Sequence, residues 1–398
     1  MRESMNGDTI TQAVQGLLPE IVALRHELHE HPEIRFEETW TSDRISRYLT
    51  EAGIEHTRGH AKGTGIVATV RGPGARTVAL RADMDALEIE EETGVPYRSR
   101  IPNRMHACGH DGHSANLCGV AKLLQQHRDR LRGTVKFIFQ PAEENAAGGR
   151  FIVQEGLLDD VDAVFALHCW PTLAVGTVGF NPGAAMASAD TFTIRITGKG
   201  SHGADPGAGV DPIMVASYIV TALQTLVSRE MNPWEPSVVT IARIEAGFAS
   251  NVIPETATMD GTFRALSAKV RARLFEGIER IAVRTAEAHR ATATVHFHEA
   301  TYPPLHNDPA MTGFARAIAR DAFGEASLVD MRTPTMGAED FAYYLEKRPG
   351  CFLFLGNNPS ATEPYPALHN PRFDFNDGAL PYGMELMARI AIDYLEGH

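Results

Sequence analysis

The chain has 398 residues, of which 43% are hydrophobic and 22% are charged, as expected of a globular protein long enough for two domains. Its 50 acidic and 37 basic residues give a formal net charge of −13, which argues against nucleic acid or an anionic membrane surface as the main partner. A signal-peptide pattern and an apolar run of about 18 residues are both absent, and the four Cys follow no disulfide framework, so we expect a soluble, cytoplasmic protein.

The chain begins with two predicted amphipathic helices, over residues 10–31 and 38–52. His26 and His29 share one face near the end of the first helix. Cationic side chains are common at a helix carboxyl end, because they interact favourably with the helix dipole. We therefore expect these His on the surface rather than in a metal site.

Two strands follow the helices, over residues 65–71 and 77–81. The Gly-Pro-Gly sequence between them favours a β-hairpin. The second strand continues into Asp83 and Asp85, at the strand end where α/β enzymes place their sites. A functional role, with orientation of ligands as the leading one, competes here with simple helix capping.

A ten-residue stretch, Arg-Met-His-Ala-Cys-Gly-His-Asp-Gly-His at 104–113, holds three His, one Cys and one Asp. Cys108 and His110 are two positions apart on an irregular segment, so both side chains can reach one pocket. The stretch is interpreted as half of a transition-metal site, with a polar turn carrying a free Cys as the alternative. Residues 114–126 after it are predicted to be helical.

Two later strands also end in polar side chains. The strand over 134–140 is followed by Glu143 and Glu144, and the strand over 162–167 is followed by His168. Adjacent acids beside a metal cluster suggest that one carboxylate binds metal while its neighbour acts as a general base. A solvated acidic loop and a satisfied loop His are the alternatives.

Residues 187–300 read as a separate unit inserted into the first domain, so the predicted domains are 1–186, 187–300 and 301–398. The inserted unit has the order β-α-β-β-α-β of a ferredoxin-like fold. His202 lies in its Gly-rich loop and could reach a site, although a lone His is more often structural. In the last section, acids at 339 and 340 are expected to cap a helix, and His369 is a further candidate ligand.

The motifs taken together resemble the aminoacylase/carboxypeptidase G family of dinuclear metallohydrolases. The closest branch is the amidohydrolases, which include hippurate hydrolase and the auxin–amino acid conjugate hydrolases. The resemblance covers residues 20 to 396 and rests on six motifs in order: Met-His-Ala-Cys-Gly-His-Asp-Gly-His, Gln-Pro-Ala-Glu-Glu, Gly-Val-Asp-Pro, Asn-Val-Ile-Pro, Met-Gly-Ala-Glu-Asp-Phe-Ala-Tyr-Tyr and Leu-His-Asn-Pro-Arg-Phe-Asp-Phe. It implies a zinc-exopeptidase-like catalytic domain, with a mixed, mostly parallel sheet flanked by helices, and an inserted ferredoxin-like lid that also serves dimerisation.

The resemblance also implies a role for each matching residue. The metal ligands would be Cys108, His110, Glu144, His168 and His369. The catalytic groups would be Glu143 as general base, Asp85 as the acid that orients the site, and His202, which contacts the scissile carbonyl across a dimer interface. The substrate-binding groups would be Asn251, Arg264 and Glu339. Two positions depart from the wider family, since Asp83 stands in place of a metal-binding His and Gly207 in place of a second loop His.

The function implied is metal-dependent hydrolysis of N-acyl amino acids to a carboxylic acid and a free amino acid. Two divalent ions are expected per subunit, Zn²⁺ or Mn²⁺, with Co²⁺ and Ni²⁺ compatible with the same donors. The expected partners are a small N-acyl amino acid or short peptide and a second copy of the chain. The alternatives are a dipeptidase or carboxypeptidase on the same site, a thiol hydrolase using Cys108 with His110 or His113 as base, and a non-catalytic metal-binding protein.

Overall fold

The computed structural model of the chain describes residues 7–360 and 362–397. The α-helices of these residues are α1 (Gly7–Glu30), α2 (Thr39–Glu51), α3 (His110–Gln126), α4 (Gly148–Gln154), α5 (Pro212–Thr225), α6 (Ala268–Ala288), α7 (Pro309–Phe323), α8 (Ala342–Lys347) and α9 (Leu380–Glu396). The strands are β1 (Glu55–His60), β2 (Gly65–Arg71), β3 (Arg76–Asp83), β4 (Gly133–Gln140), β5 (Ala163–Ala174), β6 (Val178–Phe180), β7 (Gly183–Met186), β8 (Asp190–Thr197), β9 (Ser201–His202), β10 (Ser237–Ala246), β11 (Val252–Ile253), β12 (Thr256–Ala265), β13 (Thr292–Phe297), β14 (Leu305–Asn307), β15 (Leu328–Asp330) and β16 (Gly350–Asn358). None of these helices combines the length and the apolar character needed to cross a lipid bilayer.

The chain folds into two compact units. The described residues of unit 1 fall within Met1–Gly183, His306–Arg332 and Asp340–His398, and those of unit 2 fall within Ala184–Leu305 and Thr333–Glu339. The predicted insertion over 187–300 lies inside unit 2. Unit 2 also includes residues 333–339, because the backbone of Thr335 hydrogen-bonds to Ala185 and Ala187. The sequence had placed that segment with the last part of the catalytic domain.

Unit 1 is built on an eight-stranded mixed sheet in the order β1-β2-β4-β3-β5-β16-β6-β15. The central strands β4, β3, β5 and β16 are parallel to one another, whereas β1, β2 and β4 pair antiparallel at one side. Strands β3 and β16 are buried along almost their whole length, as expected when helices cover both faces of a parallel sheet. The predicted mixed, mostly parallel sheet is therefore confirmed.

The predicted β-hairpin between β2 and β3 is wrong. Strand β4 lies between them, antiparallel to β2 and parallel to β3. The Gly-Pro-Gly segment instead crosses the start of β4, where a Cβ on Gly72 would meet the Leu131 carbonyl oxygen at 2.5 Å and one on Gly74 would overlap the Arg132 carbonyl. Glycine is required there for close backbone approach rather than for a two-residue turn.

Unit 2 contains the predicted β-α-β-β-α-β order as β8, α5, β10, β12, α6 and β13. Its four long strands form an antiparallel sheet in the order β10-β12-β8-β13. Helix α5 begins as expected from the sequence, with Pro212 in its first turn and the Asp211 carboxylate accepting a hydrogen bond of 2.9 Å from the Ile213 N–H. This unit has a hydrophobic core of its own, in which the fully buried Phe192 and Phe263 pack together.

Candidate metal centre

Three neighbouring parallel strands bring polar side chains to one edge of the unit 1 sheet. Strand β3 ends at Asp83, β4 ends three residues before Glu143, and β5 carries His168. Because β3 pairs in parallel with both β4 and β5, the carboxyl ends of these strands point the same way. Helix α3 begins at His110 beside them. Strand topology thus gathers segments that are distant in sequence, as is common in α/β enzymes.

Cys108, His110 and Glu144 form the first cluster at this edge. One potential ligand atom of each, the Cys108 Sγ, a ring nitrogen of His110 and a carboxylate oxygen of Glu144, lie within 4.8 Å of one another. All three side chains are buried. A soft thiolate, an imidazole and a carboxylate meeting at this distance form a donor set suited to a transition-metal cation.

His168 and His369 adjoin this cluster. The Nδ1 of His168 is 2.8 Å from the Cys169 carbonyl oxygen, so it donates there, and the His168 Nε2 faces the Cys108 Sγ at 3.4 Å. The Nε2 of His369 lies 3.0 Å from the Glu144 Oε1. His369 is about half exposed and holds a left-handed backbone conformation with φ of 65°, a strain that typically persists where function requires it. All five predicted ligands therefore lie in one connected group.

The donor atoms themselves support the presence of a cation. Among residues 7–360 and 362–397, neither buried ring nitrogen of His110 makes a hydrogen bond of good geometry, although its Nδ1 lies 3.3 Å from the Asp85 Oδ1. The His369 Nε2 is the group that faces the Glu144 Oε1. Buried polar atoms in native proteins are nearly always paired. Burial, together with the negative charges of Glu144 and Glu143, raises the pKa of the Cys108 thiol. A divalent cation would satisfy the ring nitrogen of His110 and stabilise the thiolate, so these residues fit a metal site.

Asp85 holds the backbone that carries Glu143 and Glu144. Its two carboxylate oxygens accept hydrogen bonds of 2.9 Å, one from the Glu143 N–H and one from the Glu144 N–H. The preceding residue, Ala142, is left-handed with φ of 57°, and its N–H donates to the Glu38 carboxylate at 2.9 Å. The two acids therefore lie on a strained turn that buried carboxylates hold in place.

A second group, Asp83, His110, His113 and His168, also brings one atom of each residue within 4.8 Å. In two of its members, Asp83 and His113, every polar side-chain atom is already hydrogen-bonded to another protein group. Asp83 pairs with the Arg81 guanidinium at 2.7 Å and with the His113 Nδ1 at 2.7 Å. The His113 Nε2 accepts the Cys169 N–H at 2.9 Å. The sequence offers His113 only as the base of a thiol hydrolase. Its position as the third His of the His-rich motif is the one sequence signal for a role beside the metal cluster.

The expectation that His29 lies on the surface is wrong. His29 is fully buried, and its Nδ1 lies 2.8 Å from the Asp111 Oδ2, which also accepts a 2.8 Å hydrogen bond from the buried Arg25. Burial lowers the pKa of His29, but the Asp111 carboxylate more than offsets this and raises it to about 9. His29 therefore belongs to a buried ionic network one residue from the metal cluster, which sequence reasoning missed because Asp111 is remote in the chain.

The expected helix cap at 339 and 340 is also wrong. Helix α8 begins only at Ala342, and no side chain of the described part of the chain caps it. The buried Asp340 carboxylate instead accepts hydrogen bonds from the Arg81 guanidinium at 2.8 Å and from the Gly149 N–H at 2.8 Å. It therefore joins strand β3 to the start of α4. Glu339 is buried as well, and it belongs to unit 2.

The remaining predicted residues lie in unit 2. His202 is exposed on β9, which pairs with β11, and the adjacent Gly203 N–H donates to the Asn251 carbonyl at 2.7 Å. The His202 Nδ1 accepts the Ala204 N–H at 3.0 Å, which leaves its Nε2 as a donor. Arg264 is half-buried and donates to the Phe263 carbonyl at 3.0 Å.

Comparison with known proteins places these features in context. Residues 79–393 match peptidase family M20/M25/M40. The chain is 42% identical to an IAA-amino acid hydrolase, ILR1-like 4, of Arabidopsis thaliana over 94% of this chain and 86% of that protein. It is 42% identical to the N-acetyl-L-cysteine deacetylase of Bacillus subtilis over 91% of this chain and 85% of that protein. Among solved structures, the Bacillus subtilis YXEP protein, a dinuclear metal binding peptidase from the M20 family, superposes with a TM-score of 0.83 at 36% identity, covering 96% of this chain and 100% of that one.

Proposed function

Because this chain belongs to peptidase family M20/M25/M40, we propose that it hydrolyses the amide bond of N-acyl amino acids, releasing a carboxylic acid and a free amino acid. The observation that carries the proposal is the cluster of Cys108, His110 and Glu144 directly beside Glu143. The names of the Arabidopsis and Bacillus relatives describe an acylated amino acid as the substrate of those proteins. That class of substrate is the one we propose for this chain.

The metal would be held by Cys108, His110, Glu144, His168 and His369. We propose two divalent ions per subunit, Zn²⁺ or Mn²⁺, because the donors combine a thiolate, imidazoles and a carboxylate. When bound, such ions supply the Lewis acidity that lowers the pKa of a water molecule to near neutrality and polarises the amide carbonyl.

Glu143 would act as the general base. Its backbone N–H is fixed by Asp85, so its carboxylate is directed from a rigid turn rather than a mobile loop. It would take a proton from water and deliver it to the nitrogen of the departing amino acid. Asp85 would thus serve as a positioning group for both Glu143 and the neighbouring Glu144.

Residues of unit 2 would bind the substrate. The Nε2–H of His202, whose Nδ1 already accepts the Ala204 N–H, would donate to the oxyanion formed from the amide carbonyl. Arg264 and Asn251 would hold the substrate carboxylate or carbonyl, and Glu339 would line the pocket.

We also propose that the protein is a cytoplasmic homodimer formed through unit 2. Unit 2 exposes large apolar side chains, among them Trp234 at 90%, Phe248 at 85% and Met214 at 50%. Apolar groups at such exposure favour burial against a partner. One chain has a mass of 43.4 kDa, and light scattering coupled to gel filtration should give twice that mass. A monomer at micromolar concentration would contradict this part of the proposal.

The function is tested by assaying hippurate, N-acetyl amino acids and dipeptides before and after chelation and metal readdition. We expect turnover of acyl amino acids that is lost with the metal and restored by it. Glu143→Gln should lower kcat by at least 10²-fold with metal content unchanged, whereas Glu279→Gln on the exposed face of α6 should have no effect. Retained activity in Glu143→Gln would remove the base from the mechanism, and a preference for dipeptides would move the enzyme to the peptidase alternative.

The thiol-hydrolase alternative predicts activity that survives chelation and is lost on alkylation. The environment of Cys108 disfavours it, because burial and the neighbouring Glu144 and Glu143 raise the pKa of the thiol. Catalytic cysteines require the opposite, a lowered pKa in an electropositive environment.

A further inference from the structure

Cys169, which the sequence left without a role, connects three segments of the candidate centre. Its N–H donates to the His113 Nε2 at 2.9 Å, and its carbonyl oxygen accepts from the His168 Nδ1 at 2.8 Å. Its thiol donates to the carbonyl oxygen of Cys108 at 3.3 Å. All four residues are buried. The peptide unit before Cys169 therefore contacts His113, and the peptide unit after Cys169 sets the position of His168.

The hydrogen bonds around His113 define its tautomer. Because the His113 Nε2 accepts a backbone N–H, that nitrogen carries no proton. The proton of the neutral ring is therefore on Nδ1, which donates to the Asp83 Oδ1 at 2.7 Å. The other oxygen of Asp83 accepts from Arg81 at 2.7 Å. Both nitrogens of His113 and both oxygens of Asp83 are thus engaged with protein groups, so these two residues are poor candidates for ligands despite their closeness to His110.

We propose that Asp83 and His113 are positioning residues that act through the backbone of Cys169 to hold His168 with its proton on Nδ1 and its Nε2 available to the cation. This inference rests on the proposed role of His168 as a metal ligand. The order of contacts is Arg81 to Asp83, Asp83 to His113, His113 to the Cys169 N–H, and the Cys169 carbonyl to His168.

The physical advantage lies in the choice of nitrogen. A His ligand binds a metal through one nitrogen, and the partner of the other nitrogen selects the tautomer and the ring orientation. If the backbone at Cys169 rotated about its φ and ψ angles, the Cys169 carbonyl would no longer receive the His168 Nδ1–H, and the ring could turn away from Cys108. Loss of such an outer partner typically weakens metal binding about 10- to 100-fold.

Two substitutions of His113 separate its contact with Asp83 from its contact with the Cys169 N–H. Gln at position 113 can place its amide oxygen near the site of the His Nε2 and still accept the Cys169 N–H. Asn at position 113 is shorter, so it can donate to Asp83 but not reach the Cys169 N–H. We therefore expect His113→Asn to weaken Zn²⁺ binding about 10- to 100-fold in chelator competition, and His113→Gln to weaken it by clearly less.

Controls and a measurement on the unmodified enzyme complete the test. Thr312→Val removes a buried hydroxyl that bonds to the Asp308 carbonyl and the Cys351 Sγ, and its Zn²⁺ affinity should equal that of the wild type. In the zinc-loaded wild type, ¹⁵N NMR of the His side chains should show His113 protonated on Nδ1 alone. Equal Zn²⁺ affinity in His113→Asn and wild type, or a proton on the His113 Nε2, would overturn the inference.

These readouts do not depend on the substrate. An enzyme that turns over no acyl amino acid but loses Zn²⁺ affinity in His113→Asn would refute the proposed function and support the inference. An active enzyme in which His113→Asn binds Zn²⁺ as tightly as the wild type would support the proposed function and overturn the inference.

Discussion

Replacing Asp85 by Asn tests how the turn bearing Glu143 is held. In the native protein one oxygen of Asp85 accepts the Glu143 N–H and the other accepts the Glu144 N–H, each at 2.9 Å. The amide of Asn offers one acceptor oxygen and one donor NH₂ group. One of the two backbone N–H groups must therefore face a donor and lose its partner.

The cost follows from those two contacts. A hydrogen bond to a charged group contributes about 1.5–3 kcal/mol, and Asp85→Asn removes one such bond and the charge from the other. The turn is strained, because Ala142, Asn145 and Ala147 all have left-handed backbones, with φ of 57°, 61° and 52°. It should therefore open more readily once a hydrogen bond is lost. We expect the free energy of local opening to fall by about 2–3 kcal/mol, which corresponds to about 30- to 150-fold faster amide exchange.

Hydrogen–deuterium exchange with fragmentation to single residues measures this directly at the amides of Glu143 and Glu144. Activity should fall about 10²-fold, because a base displaced by about 1 Å loses its alignment. Asp162→Asn is the matched control, since that exposed carboxylate accepts the Thr77 N–H at 2.8 Å at the opposite end of β3. Unchanged exchange at both amides in Asp85→Asn would show that the turn is held by other contacts.

Three further changes probe the surroundings of the cluster. Arg25→Met should lower the free energy of unfolding in urea by about 3–5 kcal/mol, because among the described residues the buried Asp111 carboxylate then keeps His29 alone as an ion-pair partner. The pKa of His29 is raised to about 9 in the fold from its usual 6.5. Its contribution of about 3 kcal/mol to the free energy of unfolding is therefore complete below pH 6.5 and is lost as the pH rises through 9. His29→Gln should flatten that part of the curve of unfolding free energy against pH. Gly112→Ala should cost about 1–3 kcal/mol in the same urea assay, because its Cβ would overlap the Phe375 ring.

Each of these three has a clear contrary result. A loss below about 1 kcal/mol in Arg25→Met would mean that the network contributes as little as a surface ion pair. A wild-type stability curve that is flat between pH 6.5 and 9 would show that His29 is uncharged in the fold. Wild-type stability in Gly112→Ala would mean that Phe375 moves aside at no cost.

Local sequence signals predicted the helices and strands well where the cause is itself local. Strand β2 has the predicted bounds, and helix α2 begins and ends within one residue of its predicted bounds, because the apolar periodicity lies within the segments themselves. The polar residues that follow β3 and β4 lie at one edge of the sheet because these strands are parallel.

The errors arose where a distant segment decides the outcome. The Gly-Pro-Gly turn looks like a hairpin until β4, about 60 residues later in the chain, takes the place between β2 and β3. His29 resembles a surface residue until Asp111 is folded against it. No periodicity or turn pattern near either site carries that information.

The most direct test of the metal centre is anomalous X-ray diffraction from crystals of the enzyme loaded with Zn²⁺, recorded above and below the zinc edge. We predict two peaks within coordination distance of donors drawn from Cys108, His110, Glu144, His168 and His369, about 2.0–2.3 Å from their ligand atoms. Peaks bound elsewhere on the chain, or no peak between Cys108 and Glu144, would contradict the account.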